Sequence, residues 1–178
     1  MVSIRIWANR DQIISTRKRP LLSVSAIAKS FETSSGPKTT AEFIAEINHQ
    51  LINRMEDTIG QLEDRVYQLE ENVIVEADHQ LRSELSNIRR EAIMLRRYLA
   101  PQREALIKLY SDKLEWFDNN CRLRLHEATD QLIRYIEDLD SLRDRAAVTQ
   151  EELVNKLTEQ MNTRMYVLSL VAAIFLPL

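Results

Sequence analysis

Apolar residues recur at helical spacing along most of this chain, and the pattern changes character only at its two ends. Near the start, residues 2–7 (VSIRIW) alternate apolar and polar, and Gln12 to Ser15 add a second short run of the same kind. That alternation predicts a β-hairpin at the edge of a sheet. Two short strands do not make a stable sheet by themselves, so their further partners are expected upstream of Met1. Residues 21–31 (LLSVSAIAKSF) suit a short helix, and Glu32 to Lys38 (ETSSGPK) a loop carrying one of only two glycines.

From Thr39 onward the chain reads as helix. Thr39 and Glu42 have the spacing of a capping box. Heptads then open at Met55, Leu62 and Leu69, with Ile59, Val66 and Val73 four residues after each, which makes a coiled-coil-like seam. An acidic pair follows each heptad start: Glu56 and Asp57, Glu63 and Asp64, Glu70 and Glu71. After a polar break near Ala77 to His79, a second helix shows the seam Leu81, Leu85, Ile88, Ala92, Leu95, Leu99. Pro101 removes a backbone donor and crowds the preceding turn, so a kink or stop is expected there, with apolar positions resuming at Leu106 and Leu109. Asp118, Asn119 and Asn120 read as a turn. A third helix starts near Cys121 and places Leu125, Ala128, Leu132, Ile136, Leu139, Leu142, Ala146, Leu153, Leu157 and Met161 on one side. It exceeds fifty residues, on the order of 80 Å at 1.5 Å per residue, so it is expected to project as a stalk whose seam needs partner helices.

The last fourteen residues, Met165 to Leu178 (MYVLSLVAAIFLPL), carry no charge. A bilayer span needs about 20 apolar residues, so the run is read as the first part of a transmembrane helix. Arg164 just before it favours a cytoplasmic location for what precedes. The competing reading is a buried C-terminal helix of a soluble bundle. The run is apolar on every face, whereas a surface helix keeps a polar side.

Composition narrows the function. The 24 basic and 27 acidic residues give a slightly acidic balance, and the basic clusters Arg17 to Arg19 and Arg89 to Arg97 are short or interleaved with apolar residues, which suits a solvated or salt-bridged face rather than a nucleic-acid track. A single cysteine, Cys121, leaves no internal disulfide framework and points to a reducing compartment. The opening MVSIRIWANRD has no apolar signal core. Enzyme motifs fail: HEATD (His126 to Asp130) lacks the second histidine of a metalloprotease helix, and SGPK lacks the glycines of a phosphate loop.

Several segments carry a family resemblance. NTRMYVLSLVAAIFLPL (Asn162 to Leu178) resembles the start of the first transmembrane helix of the CorA family of divalent-cation transporters. RRYLAPQREAL (Arg96 to Leu106), RYIEDLDSLRDRAAV (Arg134 to Val148) and RIWANRDQIISTRKRPLLSV (Arg5 to Val24) resemble its zinc-transporting ZntB branch. The resemblance implies a mainly α fold of long antiparallel helices with a very long C-terminal stalk helix, plus a small N-terminal remnant of an α/β sandwich. The expected parts are a hairpin and short helix over 1–38, two helices packed on the stalk over 39–117, the stalk over 118–164 and the start of the first transmembrane helix over 165–178. It further implies a homopentamer in a bacterial inner membrane that moves zinc, with no cofactor and no enzymatic activity. The family's glycine-any-asparagine signature is expected beyond Leu178, together with a second span.

By the same resemblance, Asn162 stands at the mouth of the pore, with Met165, Leu168 and Leu176 on its inner face. Rings of Met165 and Leu168 would form an apolar constriction that gates by dewetting, and Asn162 amides would replace part of an ion's water shell. Counting back from Asn162 also places Glu127 and Glu151 near stalk carboxylates of magnesium-selective relatives. From spacing alone, Glu137, Asp140 and Asp144 share a helical face suited to a hard cation, although Arg134, Arg143 and Arg145 stand close enough to neutralise them. His126 and Asp130, four apart, can share a metal but lack a third ligand, whereas Cys121 and His126 point away from each other. The competing class is a membrane-tethered coiled-coil scaffold or signalling stalk, which needs only one apolar span.

Overall fold

Alternation in the first twenty residues becomes a two-stranded antiparallel hairpin, β1 (Ile4–Ala8) and β2 (Ile13–Arg17), in register from Ile4 opposite Arg17 to Ala8 opposite Ile13. The computed structural model describes residues 4–75, 78–112 and 114–175. Asn9 builds the turn, its Oδ1 accepting from the backbone N–H groups of Asp11 (2.9 Å) and Gln12 (2.8 Å). Four helices follow: α1 (Leu22–Glu32), α2 (Thr40–Val75), α3 (His79–Ser111) and α4 (Asn119–Phe175). This is the mainly helical fold, with a small N-terminal sheet and a very long last helix, that the sequence predicts.

Helix starts follow the expected chemistry. Thr39 Oγ1 accepts from the Glu42 N–H at 3.1 Å, and the Glu42 carboxylate reaches back to the Lys38 N–H at 2.6 Å, one residue beyond the usual capping-box partner. Asp118 caps α4, its Oδ1 accepting from the Cys121 N–H at 2.7 Å. That bond holds the Asp118 carboxyl below its ordinary pKa. A carboxylate with a depressed folded pKa adds stability that is complete above its unfolded pKa and is lost as pH falls through the folded one. Asp118→Ala therefore lowers the urea midpoint at neutral pH, and the deficit against wild type shrinks on acidification. A deficit that is constant with pH contradicts the cap.

Of the kink or stop expected at Pro101, the stop does not occur: α3 passes through it to Ser111. Pro101 is exposed, so water serves the carbonyl that the missing N–H leaves open.

The chain divides into two compact units whose limits fall inside the long helices. One comprises residues 1–58 and 98–137. Its core contains Ile27, Ala45, Ile47, Leu99, Leu106, Leu125 and Leu132, each at most 4% exposed. Thr40 Oγ1 donates to the Arg10 carbonyl at 2.9 Å, tying the hairpin turn to α2. Arg124 pairs with Glu46. Burial alone would raise the Glu46 pKa, but bonds from Gln50 and Arg124 outweigh it and leave the carboxyl below its usual value.

The second unit comprises residues 59–97 and 138–178. The heptad seam of α2 is its core: Ile59, Leu62, Val66, Leu69 and Val73 are buried, with Leu85, Ile88 and Ala92 from α3 and Leu139, Leu142, Ala146 and Leu153 from α4. Burial along α4 ends there. Leu157 is half-buried, and every described residue from Thr158 to Phe175 is exposed.

Candidate functional site

Most of the residues expected on the pore lie at the exposed end of α4. Asn162, Met165 and Leu168 follow one another at three-residue steps, so they lie along one side of an unbroken helix, with Met165 63% and Leu168 71% exposed. Leu176 lies outside the described residues. Among the described residues no helix is long and apolar enough to cross a membrane.

Just before this segment, α4 is fastened to the end of α2. The last carbonyls of a helix have no partner inside it, and the last turn of α2 contains no basic residue. Lys156 fills the gap from α4, its Nζ donating to the carbonyls of Val73 and Ile74 at 3.0 Å each. An ammonium there also opposes the negative end of the helix dipole. Lys156→Met is expected to cost about 1 kcal/mol and to speed amide exchange in the last turn of α2, with Arg restoring protection. Unchanged exchange in that turn contradicts the assignment.

About three to four turns earlier on α4, arginines gather the carboxylates of that helix. Asp140 Oδ2 accepts from Arg96 Nε at 2.9 Å, while its buried Oδ1 stands 2.8 Å from the same nitrogen and 3.2 Å from Arg143, held by charge rather than by an aligned hydrogen bond. Arg143 also pairs with Asp144 at 2.8 Å. Arg145 turns to α2 and clasps Glu70 through two bonds of 2.9 and 2.6 Å, which raises the arginine's pKa further. Arg134, expected to help neutralise this face, is exposed and in no ion pair among the described residues. The partner the sequence did not suggest is Arg96, from α3.

The remaining candidates stand apart. Glu127, Glu137 and Glu151 are exposed. His126 Nδ1 lies 3.1 Å from Asp130 and its ring 4.9 Å from that of Tyr110. Burial and the neighbouring Asp118 push the Cys121 thiol up to about 12, so it stays protonated. Among the described residues no three histidine, cysteine, aspartate or glutamate side chains cluster closely enough to hold a metal.

Long capped helices, an arginine-gathered stalk and an exposed apolar end invite comparison with known proteins. The family described as CorA-like Mg2+ transporter protein matches residues 1–178. The chain belongs to this CorA-like family. It is 36% identical over 181 residues to the divalent cation transporter CmaX of Pseudomonas aeruginosa, covering 100% of this chain and 54% of that protein. It is 33% identical over 177 residues to the zinc transport protein ZntB of Yersinia enterocolitica, covering 99% of the chain and 54% of the relative. The chain thus spans about half the length of these curated relatives.

The full-length CmaX structure superposes with a TM-score of 0.91 at 35% identity, over 99% of this chain and 54% of that one. The ZntB cytoplasmic domain of Vibrio parahaemolyticus gives 0.79 at 22% identity, over 89% of this chain and 62% of the domain, a likeness of fold. The ZntB-like character read from the sequence agrees with these relatives.

Proposed function

We propose that this CorA-like chain is the cytoplasmic part, with the first turns of the pore helix, of a divalent-cation transporter of a bacterial inner membrane, that copies of it surround a common axis as a pentamer, and that the ion carried is zinc. The observation that supports this best is α4 itself, a 57-residue helix that runs from a capped, arginine-braced stalk into a fully exposed apolar end without interruption. Within the second unit, α4 continues from the braced turns at Asp140 and Arg145 to the apolar end, so movement at those turns is passed along the helix. The zinc reading draws on the relatives named for zinc transport and the divalent cation reading on CmaX.

In this reading Asn162 faces incoming ions, and Met165, Leu168 and Leu176 line the passage. Zinc is the cargo. The acidic excess of the chain draws cations toward the passage as a field effect without a dedicated site. Polypeptide chemistry here is positional: no nucleophile or acid–base pair is assigned, and the chain acts by holding the pore helix. Cells expressing the full-length protein are expected to differ in zinc content from cells lacking it under zinc stress. Identical zinc content in both, with the protein present in the membrane, contradicts the reading.

A further inference from the structure

Two exposed helical rows in the second unit have opposite charge and the same repeat. Helix α2 carries eight acidic residues against two basic, and α3 seven basic against three acidic. On α2, Asp64 and Glu71 are exposed and seven residues apart, and beside them Tyr67 and Ile74, also seven apart, are 57% and 71% exposed. Tyr67 stands three residues after Asp64 and four before Glu71, so the two rows form one strip of the helix. On α3, Arg82 and Arg89, and Arg90 and Arg97, are exposed at the same seven-residue step and flank Ile93, which is 46% exposed. Seven residues advance a helix by about 10.5 Å, so charges on the two strips recur at the same interval.

Among the described residues, neither strip makes an ion pair with another helix. Arg65 and Glu91, 2.9 Å apart, mark the edge where α2 meets α3, and Arg145 with Glu70 marks the edge where α2 meets α4. Asp64, Glu71, Arg82, Arg89, Arg90 and Arg97 form no ion pair among the described residues. An apolar row beside like charges at heptad spacing is what a helix presents to a partner helix, with the flanking charges choosing that partner.

We infer that the acidic strip of α2 docks on the arginine strip of α3 in a second copy of this chain, a head-to-tail contact that closes as a ring. Since the two surfaces differ, an open row of copies keeps one free strip of each sign, one at either end, until the ring closes. The inference rests on the proposed function only in that the copies share an axis; the ion carried plays no part in it.

Cysteine cross-linking of the full-length protein tests it, and buried, protonated Cys121 keeps the background low. A mixture of Tyr67→Cys and Ile93→Cys chains is expected to form a disulfide-linked heterodimer under mild oxidation, with little linkage in either variant alone. The double variant Tyr67→Cys with Ile93→Cys should give a ladder of linked species above two copies. Linkage only between like variants, no linkage in the mixture, or a ladder that ends at two overturns the inference.

Charge reversal supplies a second readout. Arg89→Glu with Arg90→Glu should weaken self-association about ten-fold at low salt, and adding Asp64→Arg with Glu71→Arg should restore it. Association untouched by the first pair, or unrestored by the second, overturns the inference. Intact association without zinc flux would defeat the transport reading instead and leave this contact standing.

Discussion

Leu168→Ser in the full-length protein is expected to raise the resting leak of divalent cations about ten-fold. Leu168 is 71% exposed on an unbroken helix, one turn from Met165, and the proposed pore places both in rings around the ion path. A narrow apolar ring excludes water, and an ion must shed its hydration to pass. Serine oxygens give water and ion a partner there; a ten-fold faster leak corresponds to a barrier lower by about 1.4 kcal/mol. Val167→Ser is the control, since its side chain points about 160° away from Met165, the middle of the row that Asn162, Met165 and Leu168 form. The comparison is made by dye-reported influx into vesicles. An unchanged leak in Leu168→Ser, or an equal rise in Val167→Ser, contradicts the placement of Leu168 on the ion path.

The largest stability effect is expected at the seam of the second unit. Leu142 is 1% exposed on α4, level with the turns that carry the Asp140 and Arg145 pairs. Truncating a buried leucine removes its transfer energy and leaves a cavity, so Leu142→Ala is expected to cost about 2–5 kcal/mol. The ion pairs on the same turns are partly exposed and contribute far less, because water screens them. Urea unfolding should show a lower midpoint with an unchanged slope. A loss below about 1 kcal/mol would mean that the seam is not tightly packed at this level.

Most of the fold was legible in the sequence because its determinants are local and periodic. The α2 seam, Ile59 to Val73, and the α4 series from Leu125 to Leu153 follow from spacing, since residues at helical intervals share a face. The cap at Thr39 follows from a side chain that satisfies a nearby N–H group, whereas Asp118, read only as part of a turn, caps α4. The stop allowed for at Pro101 did not follow, because the cost of a missing donor depends on whether water reaches the open carbonyl. The site was less legible, as its partners come from other helices. Nothing in the spacing of α4 tells that Arg145 turns to Glu70 while Arg96 reaches Asp140. Lys156 reads as one more surface lysine until the end of α2 is placed beside it. The stretch from Arg89 to Arg97 read as a solvated or salt-bridged face, because exposure is shared by surfaces that stay wet and surfaces that await a partner.

Zinc flux through the full-length protein reconstituted in vesicles tests the central claim most directly. Zinc entry is expected to be saturable and faster than into protein-free vesicles, with a changed rate when Asn162 is replaced by alanine at the proposed mouth of the pore. Vesicles that contain correctly inserted, oligomeric protein yet admit zinc no faster than empty ones would contradict it.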